Sequence, residues 1–234
     1  MKKLLAVLLL LVLAAQPLLC MSTASAGSPN QTAVAYMEAR FQCGCTWNGC
    51  GTMIAKNGLI TAGHCLVCFT HNKPLKSCNF YFKRQKSGTC FYKYTGKFSA
   101  YSYADFSSGY SMEDDIGYVV FPTNIGNETG WYASSAESDY DINWEFCHMY
   151  GYSGGGMISD WAQVNVVNSK TVSWEASSEF RSGTQGGPIF YDYEGLDYPV
   201  LVGVYTTCGG TTAYARRLKN SIYSDMEAAG VIFN

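Results

Sequence analysis

Short apolar runs rich in β-branched and aromatic residues recur along the chain, each bounded by Gly, Ser, Asn or Pro. Residues of these types favour extended strands, and the residues between the runs favour turns. Nine such runs are found: Thr32–Tyr36, Gly58–Ala62, Asn79–Phe82, Ile116–Phe121, Glu145–Tyr150, Ala162–Val167, Thr171–Trp174, Pro188–Tyr191 and Pro199–Thr206. The pattern predicts an all-β protein in which many short antiparallel strands form a barrel or a sandwich.

One segment near the end of the chain has helical spacing instead. Ile222, Tyr223, Met226 and Ala229 fall at i, i+1, i+4 and i+7, which places them on one side of a helix, and Gly230 is suited to end it. We expect this amphipathic helix to pack on the lobe that precedes it in the chain.

The first residues have the composition of a secretory signal peptide. Lys2 and Lys3 precede an apolar run from Leu4 to Ala15, and the small residues at 24–26 form a cleavage pattern, so residues 1–26 are expected to be removed. The run is shorter than the roughly 18 residues of a membrane span. A lipid anchor at Cys20 would need a small residue where Leu19 stands. The sequence therefore predicts a secreted protein with no membrane attachment after cleavage.

Charge is unevenly distributed along the remaining chain. Residues 27–234 carry 14 basic and 18 acidic side chains, a net charge of −4. Residues 39–104 contain no Asp or Glu, whereas residues 105–234 hold seventeen acids and five bases. A basic and an acidic lobe would attract each other and bias approaching polypeptides, although two solvated surfaces without a binding role explain the same pattern. No basic motif or nucleic-acid-binding module accompanies the lysines, so nucleic acid is not expected as a partner.

Three motifs follow one another in the order His, Asp, Gly-rich loop. The first is Thr61-Ala-Gly-His-Cys65, with Cys50 and Gly51 upstream; the second is Asp115-Ile-Gly-Tyr-Val-Val120; the third is Gly183-Thr-Gln-Gly-Gly-Pro188. Together they resemble the histidine, aspartate and nucleophile segments of the trypsin-like serine proteases. The pattern is most similar to bacterial members of the glutamyl-endopeptidase type.

The resemblance implies a chymotrypsin-like fold of two antiparallel six-stranded β-barrels with a C-terminal α-helix. Residues 27–125 would form the N-terminal barrel, with His64 and Asp115, and residues 126–234 the C-terminal barrel and the helix. The stretch Phe121–Gly130 is rich in Gly, Pro and Asn, and is the best candidate for the connection between the two.

The family performs serine-type endopeptidase chemistry, and the resemblance assigns roles to residues of this chain. His64 would accept the proton of the nucleophile, and Asp115 would orient the imidazole; the adjacent Asp114 is an alternative. The backbone N–H groups of Gly183 and Gln185 would form the oxyanion hole. The family has serine at the nucleophile position, whereas this chain has Gln185. A carboxamide is not a useful nucleophile, so the chain is predicted to be impaired or inactive in proteolysis.

Two nearby hydroxyls are alternatives to the missing nucleophile. Thr184 precedes Gln185 directly, at a position where the family's side chain points away from the histidine. Ser182 lies three residues before position 185 and would require the loop to be rebuilt. Either residue would have to come within hydrogen-bond reach of His64.

The resemblance also indicates residues that would contact substrate. Glu179 lies six residues before Gln185, at the base of the family's specificity pocket, where a carboxylate would favour a basic substrate side chain; a solvated surface acid is the alternative. Tyr205 and Thr206 belong to the strand that would pair with bound polypeptide. Tyr205 stands where the glutamyl branch has histidine, so selectivity for Glu is not supported.

Nine cysteines follow the predicted signal peptide, which favours disulfides in an exported chain but leaves one thiol over. The resemblance implies that Cys50 pairs with Cys65. A second group of residues has the short spacing of a zinc site: Cys43, Cys45, Cys65, Cys68, His64 and His71. Because disulfides are the commoner use of cysteine outside the cell, no metal and no cofactor are expected.

Three hypotheses on function follow. The first is a secreted, monomeric protease homologue that binds a polypeptide substrate or protein ligand in its cleft without efficient cleavage. The second is an active endopeptidase that uses Thr184 or Ser182. The third is a disulfide-rich or zinc-binding extracellular interaction module that retains the scaffold.

Overall fold

A computed structural model describes residues 30–134, 142–181, 184–192 and 199–233 of the chain. The predicted signal peptide lies outside these residues. In the part of the chain that is described, no helix is both long enough and apolar enough to cross a membrane.

The first half of the chain forms an antiparallel sheet of eight strands. In spatial order its strands are β4, β5, β1, β2, β3, β8 and β7, and β6 pairs with β5. Their bounds are β1 Val34–Phe41, β2 Thr46–Met53, β3 Gly58–Thr61, β4 Val67–Cys68, β5 Lys73–Phe82, β6 Tyr92–Tyr94, β7 Ser99–Ser102 and β8 Gly117–Val120. Strand β3 is buried along its whole length, as its apolar sequence predicts.

The second half forms an antiparallel sheet of seven strands, in the order β10, β9, β13, β14, β15, β12 and β11. Their bounds are β9 Phe146–Ser153, β10 Gly156–Gln163, β11 Asn165–Asn168, β12 Thr171–Glu175, β13 Pro188–Tyr191, β14 Val200–Gly209 and β15 Thr212–Arg217. A short helix, α1 (Gly126–Thr129), lies between the two sheets in sequence. The predicted boundary between residues 125 and 126 falls in this connection.

The all-β class with two antiparallel sheets, one of them barrel-like, is confirmed. All nine predicted runs overlap a strand, and the run Ala162–Val167 is divided at Val164 between β10 and β11. The sheets have eight and seven strands instead of six each. The difference arises from short strands such as β4 and β6, which contain two and three residues.

Strand β2 was missed by the sequence pattern because glycines interrupt it. A Cβ on Gly49 would lie 2.6 Å from the Sγ of Cys65, and one on Gly51 would lie 2.5 Å from a methyl group of Leu59. These glycines therefore allow other parts of the chain to approach β2 closely, at the expense of intrinsic strand preference.

The C-terminal helix, α2, spans Asn220–Ala228, and Gly230 follows it with φ +92°. Its buried residues Ile222 and Met226 belong to the apolar core that includes the first sheet and continues into β9, β13 and β14. The hydroxyl of Tyr118 in β8 donates to the carbonyl of Asp225 at 3.2 Å. The expectation that this helix packs on the preceding lobe was wrong: it returns to the first sheet, whose core supplies the partners for its apolar side.

The two sheets pack against each other through a buried tyrosine. The hydroxyl of Tyr152 in β9 donates to the carbonyl of Val34 in β1 at 3.0 Å and accepts the backbone N–H of Arg84 at 3.1 Å. The rings of Tyr152 and Tyr36 meet edge to face, with centroids 5.5 Å apart. One apolar core consequently continues from the first sheet into β9, β13 and β14.

Candidate active site

His64 lies in a single turn of 3-10 helix, Gly63–Cys65, directly after the buried strand β3. Strand β8 pairs antiparallel with β3, so that Thr61 is opposite Gly117. This register places Asp115, two residues before β8, beside His64, three residues after β3. Pairing of β3 with β8 thus brings two residues that are 51 positions apart in sequence into contact.

Asp115 is fully buried and holds His64 through two contacts. Its Oδ1 accepts the backbone N–H of His64 at 2.8 Å, and its Oδ2 lies 2.8 Å from Nδ1 of the imidazole. The neighbouring Asp114 is solvent-exposed, where it accepts from the hydroxyl of Ser111 and lies 3.8 Å from the Lys170 ammonium. The structure therefore brings Asp115, and not Asp114, against the imidazole.

A tyrosine completes the environment of the carboxylate. The hydroxyl of Tyr110 donates to Oδ2 of Asp115 at 2.9 Å, and its ring stacks on Phe106 and meets Phe69 edge to face. The sequence analysis did not identify Tyr110. Nothing in its sequence environment marks it, because its position depends on the irregular chain between β7 and β8.

The environment of His64 favours the protonated imidazole. Burial opposes protonation, but the negative charge of a Cys65 thiolate and the hydrogen bond to Asp115 outweigh it and raise the pKa of His64 to about 10. An imidazolium cannot accept a proton from a nucleophile. The contacts of the ring therefore favour an imidazolium beside the Asp115 carboxylate.

The loop that contains Gln185 lies against the histidine segment through its backbone. The Gln185 carbonyl accepts the N–H of Cys50 at 2.7 Å and lies 3.7 Å from the Sγ of Cys65, the residue after His64. The side-chain Oε1 of Gln185 is buried and has no partner in the described residues. Gly183, the other predicted oxyanion donor, and Ser182 lie outside the described residues.

Two glycines fix the shape of this loop. Gly186 has φ +86°, and a Cβ there would lie 2.0 Å from the carbonyl oxygen of Cys50. A Cβ on Gly187 would lie 2.2 Å from the carbonyl oxygen of Tyr150. The N–H of Gly186 donates to the Tyr205 carbonyl, and the Tyr205 N–H donates to the Gly187 carbonyl, both at 2.8 Å. The two glycines therefore let the loop lie directly on two strands.

Thr184 does not face the histidine. The residue is fully buried, and its hydroxyl donates to the carbonyl of Phe180 at 2.9 Å. Its Cβ and methyl group pack where Gly151 of β9 has no side chain. The hydroxyl is thus used to hold the loop together.

The three predicted substrate-binding residues differ in burial and in their contacts. Glu179 is exposed at the start of a 3-10 turn, Glu179–Arg181, as a surface acid would be. Tyr205 is fully buried, with its ring against Trp174 and Phe180. The buried hydroxyl of Thr206 donates to the carbonyl of Tyr214 at 3.1 Å and so connects β14 to β15.

The structure divides the predicted cysteine and histidine group in two. Cys43, Cys45, Cys68 and His71 come together at the end of the first sheet. His64 and Cys65 do not belong to this cluster, and the Sγ of Cys65 lies instead 3.7 Å from the Gln185 carbonyl. Cys50 and Cys65 are both buried, and burial together with Cys65 raises the pKa of the Cys50 thiol. The Cys50–Cys65 disulfide stays a prediction.

The arrangement of the two sheets is shared with solved proteases. Protease Anisep from Arthrobacter nicotinovorans matches with a TM-score of 0.70 at 17% identity, over 86% of this chain and 97% of that one. A Glu endopeptidase matches with a TM-score of 0.68 at 17% identity, over 85% and 90%. The scabies mite inactivated protease paralogue S-I1 matches with a TM-score of 0.63 at 11% identity, over 86% and 96%.

No protein-family model matches the chain, and no curated protein matches it in sequence. The similarity to the solved structures covers most of both chains, and the chain therefore has the chymotrypsin-like fold.

Proposed function

We propose that this chain is a secreted homologue of the trypsin-like serine proteases that binds extended polypeptide and hydrolyses peptide bonds inefficiently or not at all. The observation that supports the proposal is a carboxamide, Gln185, at the sequence position that the resemblance assigns to the nucleophile, in a loop whose backbone contacts Cys65, the residue after His64. An amide cannot form an acyl-enzyme, and in another protease with this mechanism the loss of the nucleophile costs on the order of a millionfold in turnover.

The hydroxyl next to Gln185 in sequence, that of Thr184, is not placed as a substitute nucleophile. Thr184 is buried and donates to the Phe180 carbonyl, so it would have to break this bond and turn through the packed loop to reach His64. The raised pKa of His64 limits its action as a base to alkaline pH, so any hydroxyl chemistry that depends on His64 is expected to increase with pH.

The interior behind the loop is filled by aromatic side chains. Trp174, Phe180 and Tyr205 are all buried, with ring centroids 5.4–6.5 Å apart. Phe180 directly follows Glu179, the position at which the resemblance implies the base of a specificity pocket. Aromatic packing in this region favours binding that depends on the polypeptide backbone over binding of one deeply inserted side chain.

Strand β14 offers an edge for such backbone binding. β13 pairs with β14 only from Val200 to Val204, and the Gln185 loop contacts β14 at Tyr205. Beyond this point, the described residues place β15 on one side of Thr207–Gly209 and no strand on the other. An extended segment can add to a free strand edge through main-chain hydrogen bonds. This is the mode of polypeptide binding that we propose.

The test uses the mature protein and three variants: Gln185→Ser, His64→Ala and the double variant. Each is offered fluorescently labelled, unfolded casein and a fluorophosphonate probe at neutral and alkaline pH. We expect the wild type to bind casein, measured by fluorescence anisotropy, without cleavage or labelling. Gln185→Ser should cleave casein at least about a hundredfold faster than the wild type and react with the probe.

The double variant separates restored catalysis from contamination, because Gln185→Ser activity that depends on His64 must disappear in it. Cleavage by the wild type that is lost in His64→Ala would contradict the proposal and indicate an active endopeptidase with another nucleophile. Failure of the wild type to bind any unfolded polypeptide would contradict the binding function.

A further inference from the structure

Three segments of the chain bring four potential metal ligands together at one end of the first sheet. Cys43 and Cys45 lie in the turn between β1 and β2, Cys68 ends β4, and His71 lies in the turn before β5. Their sulfur and imidazole nitrogen atoms all lie within 4.8 Å of one another. Thiolate and imidazole are the ligands of structural zinc sites in proteins.

The distances agree with ligands around one tetrahedral ion. Nδ1 of His71 lies 3.4 Å from the Sγ of Cys45 and 3.6 Å from the Sγ of Cys68. In a tetrahedral zinc site the metal–sulfur bond is about 2.3 Å and the metal–nitrogen bond about 2.0 Å, which separates a sulfur from a nitrogen ligand by about 3.5 Å.

Backbone hydrogen bonds form both turns and hold them together. The N–H of Phe41 donates to the Cys45 carbonyl at 2.9 Å, and Gly44 between the two cysteines has φ +90°, which glycine tolerates best. The N–H of Asn72 donates to the Cys68 carbonyl at 2.8 Å. A third bond, from the N–H of Gln42 to the Pro74 carbonyl at 3.0 Å, joins the two turns. The ligands are therefore preorganised by the protein backbone.

We propose that Cys43, Cys45, Cys68 and His71 bind one zinc ion in a closed Cys₃His site. With four protein ligands no coordination position is left for water or substrate, so the ion has a structural role. The proposal does not depend on the function of the Gln185 loop.

Disulfide formation is the competing use of these thiols in an exported protein. A disulfide would use two of the three sulfurs and leave the third sulfur and the imidazole of His71 without a role. The described residues contain nine cysteines. An odd number of cysteines cannot all form disulfides within one chain, and assigning three of them to a metal leaves six, an even number.

The proposed zinc site lies close to His64. The Cys45 turn continues directly into β2, where the Trp47 ring meets the His64 ring edge to face, with centroids 5.6 Å apart. Next to His71, the side chain of Asn72 donates to Asp105 at 2.9 Å and accepts the N–H of Phe106 at 3.2 Å. An ion at the Cys₃His site would hold together the segments that border His64 on this side.

The experiment measures metal content in protein that is secreted into zinc-containing medium and purified without reductant. Elemental analysis should give one zinc per chain. Replacement by Co²⁺ should give the intense visible absorption of tetrahedral thiolate coordination. Cys45→Ser and His71→Ala should each lower zinc affinity at least about tenfold, measured by competition with a chromogenic chelator. Cys90→Ser, which changes a cysteine outside the cluster, should bind zinc as the wild type does.

A measurement on the wild type alone covers the case in which a variant does not fold. Removal of zinc by a chelator should lower the thermal midpoint, and addition of Zn²⁺ should restore it. The proposal would be overturned by metal-free protein in which a disulfide is mapped between two of Cys43, Cys45 and Cys68. The mass of such protein would be two hydrogens lower than that of the same protein with these three thiols reduced. Unchanged zinc affinity in Cys45→Ser would overturn the proposal as well. Neither result bears on casein binding or cleavage.

Discussion

At the scale of single residues, the contacts of Asp115 decide what His64 can do. The buried carboxylate accepts from the His64 backbone and from Tyr110 and pairs with the imidazole. The family resemblance of two short motifs, in the order His then Asp, was sufficient to predict the contact between His64 and Asp115, and the two residues lie beside apolar strands that pair. Tyr110 could not be predicted, since no periodic pattern positions its hydroxyl.

The raised pKa of His64 leads to a pH-dependent stability. Because folding raises this pKa from 6.5 to about 10, the folded state binds the proton more tightly than the unfolded chain. The resulting stabilisation is complete below about 6.5 and is lost as pH rises through about 10. We expect the free energy of unfolding of the wild type, relative to His64→Gln, to fall over this interval in urea denaturation experiments.

Cys65→Ala provides the matched control for this titration. In reduced protein, without the predicted Cys50–Cys65 disulfide, the Cys65 sulfur contributes to the raised pKa, so its removal should move the decline to lower pH. Parallel stability curves for the wild type and His64→Gln between neutral and alkaline pH would show that folding leaves the His64 pKa unchanged and contradict the prediction.

At the scale of elements, close approaches between segments explain where sequence patterns succeed and fail. Apolar runs such as Gly58–Ala62 were identified because burial alone shapes their composition. Strand β2 was missed because it contains Gly49 and Gly51. A side chain at either position would collide with Cys65, Gln185 or Leu59, which are distant in sequence. A local pattern does not contain this information.

The loop Gln185–Gly187 permits a direct test of such an approach. Gly186→Ala adds a Cβ at φ +86° and 2.0 Å from the Cys50 carbonyl oxygen, which should lower the free energy of unfolding by about 2–5 kcal/mol. Gly88→Ala adds a Cβ at a similar φ of +91° into open space and should cost only about 1–2 kcal/mol. Urea denaturation of both variants measures the difference. If the two variants lost the same free energy of unfolding, β2 would be able to move away from the added Cβ at no cost, which would contradict the prediction.

At the scale of the whole molecule, the C-terminal helix returns to the sheet formed by the first half of the chain. The amphipathic pattern of α2 correctly predicted that Ile222 and Met226 are buried, whereas Tyr223 and Ala229 are half-buried. It did not predict the partner, because any apolar surface would satisfy Ile222 and Met226. The last helix packs on the first sheet and thus connects the end of the chain with its beginning.

This connection predicts the effect of a core truncation. Met226 is fully buried between α2 and the first sheet, so Met226→Ala should lower the free energy of unfolding by about 2–5 kcal/mol in chemical denaturation. Glu227→Ala, at the exposed neighbouring position, should change it by less than about 0.5 kcal/mol. Faster hydrogen exchange in β3 and β8 of Met226→Ala would locate the loss in the first sheet, whereas exchange confined to β9–β15 would contradict this packing.

The way in which residue 185 is held has a practical consequence. Its position is set by main-chain bonds to Cys50 and by the two glycines that follow, and the described structure shows no bond that depends on the amide oxygen. The side chain at position 185 can therefore be exchanged while the backbone contacts that position the residue are kept. Protein engineers could install cysteine, selenocysteine or unnatural nucleophiles there and compare their reactivities on one unaltered backbone.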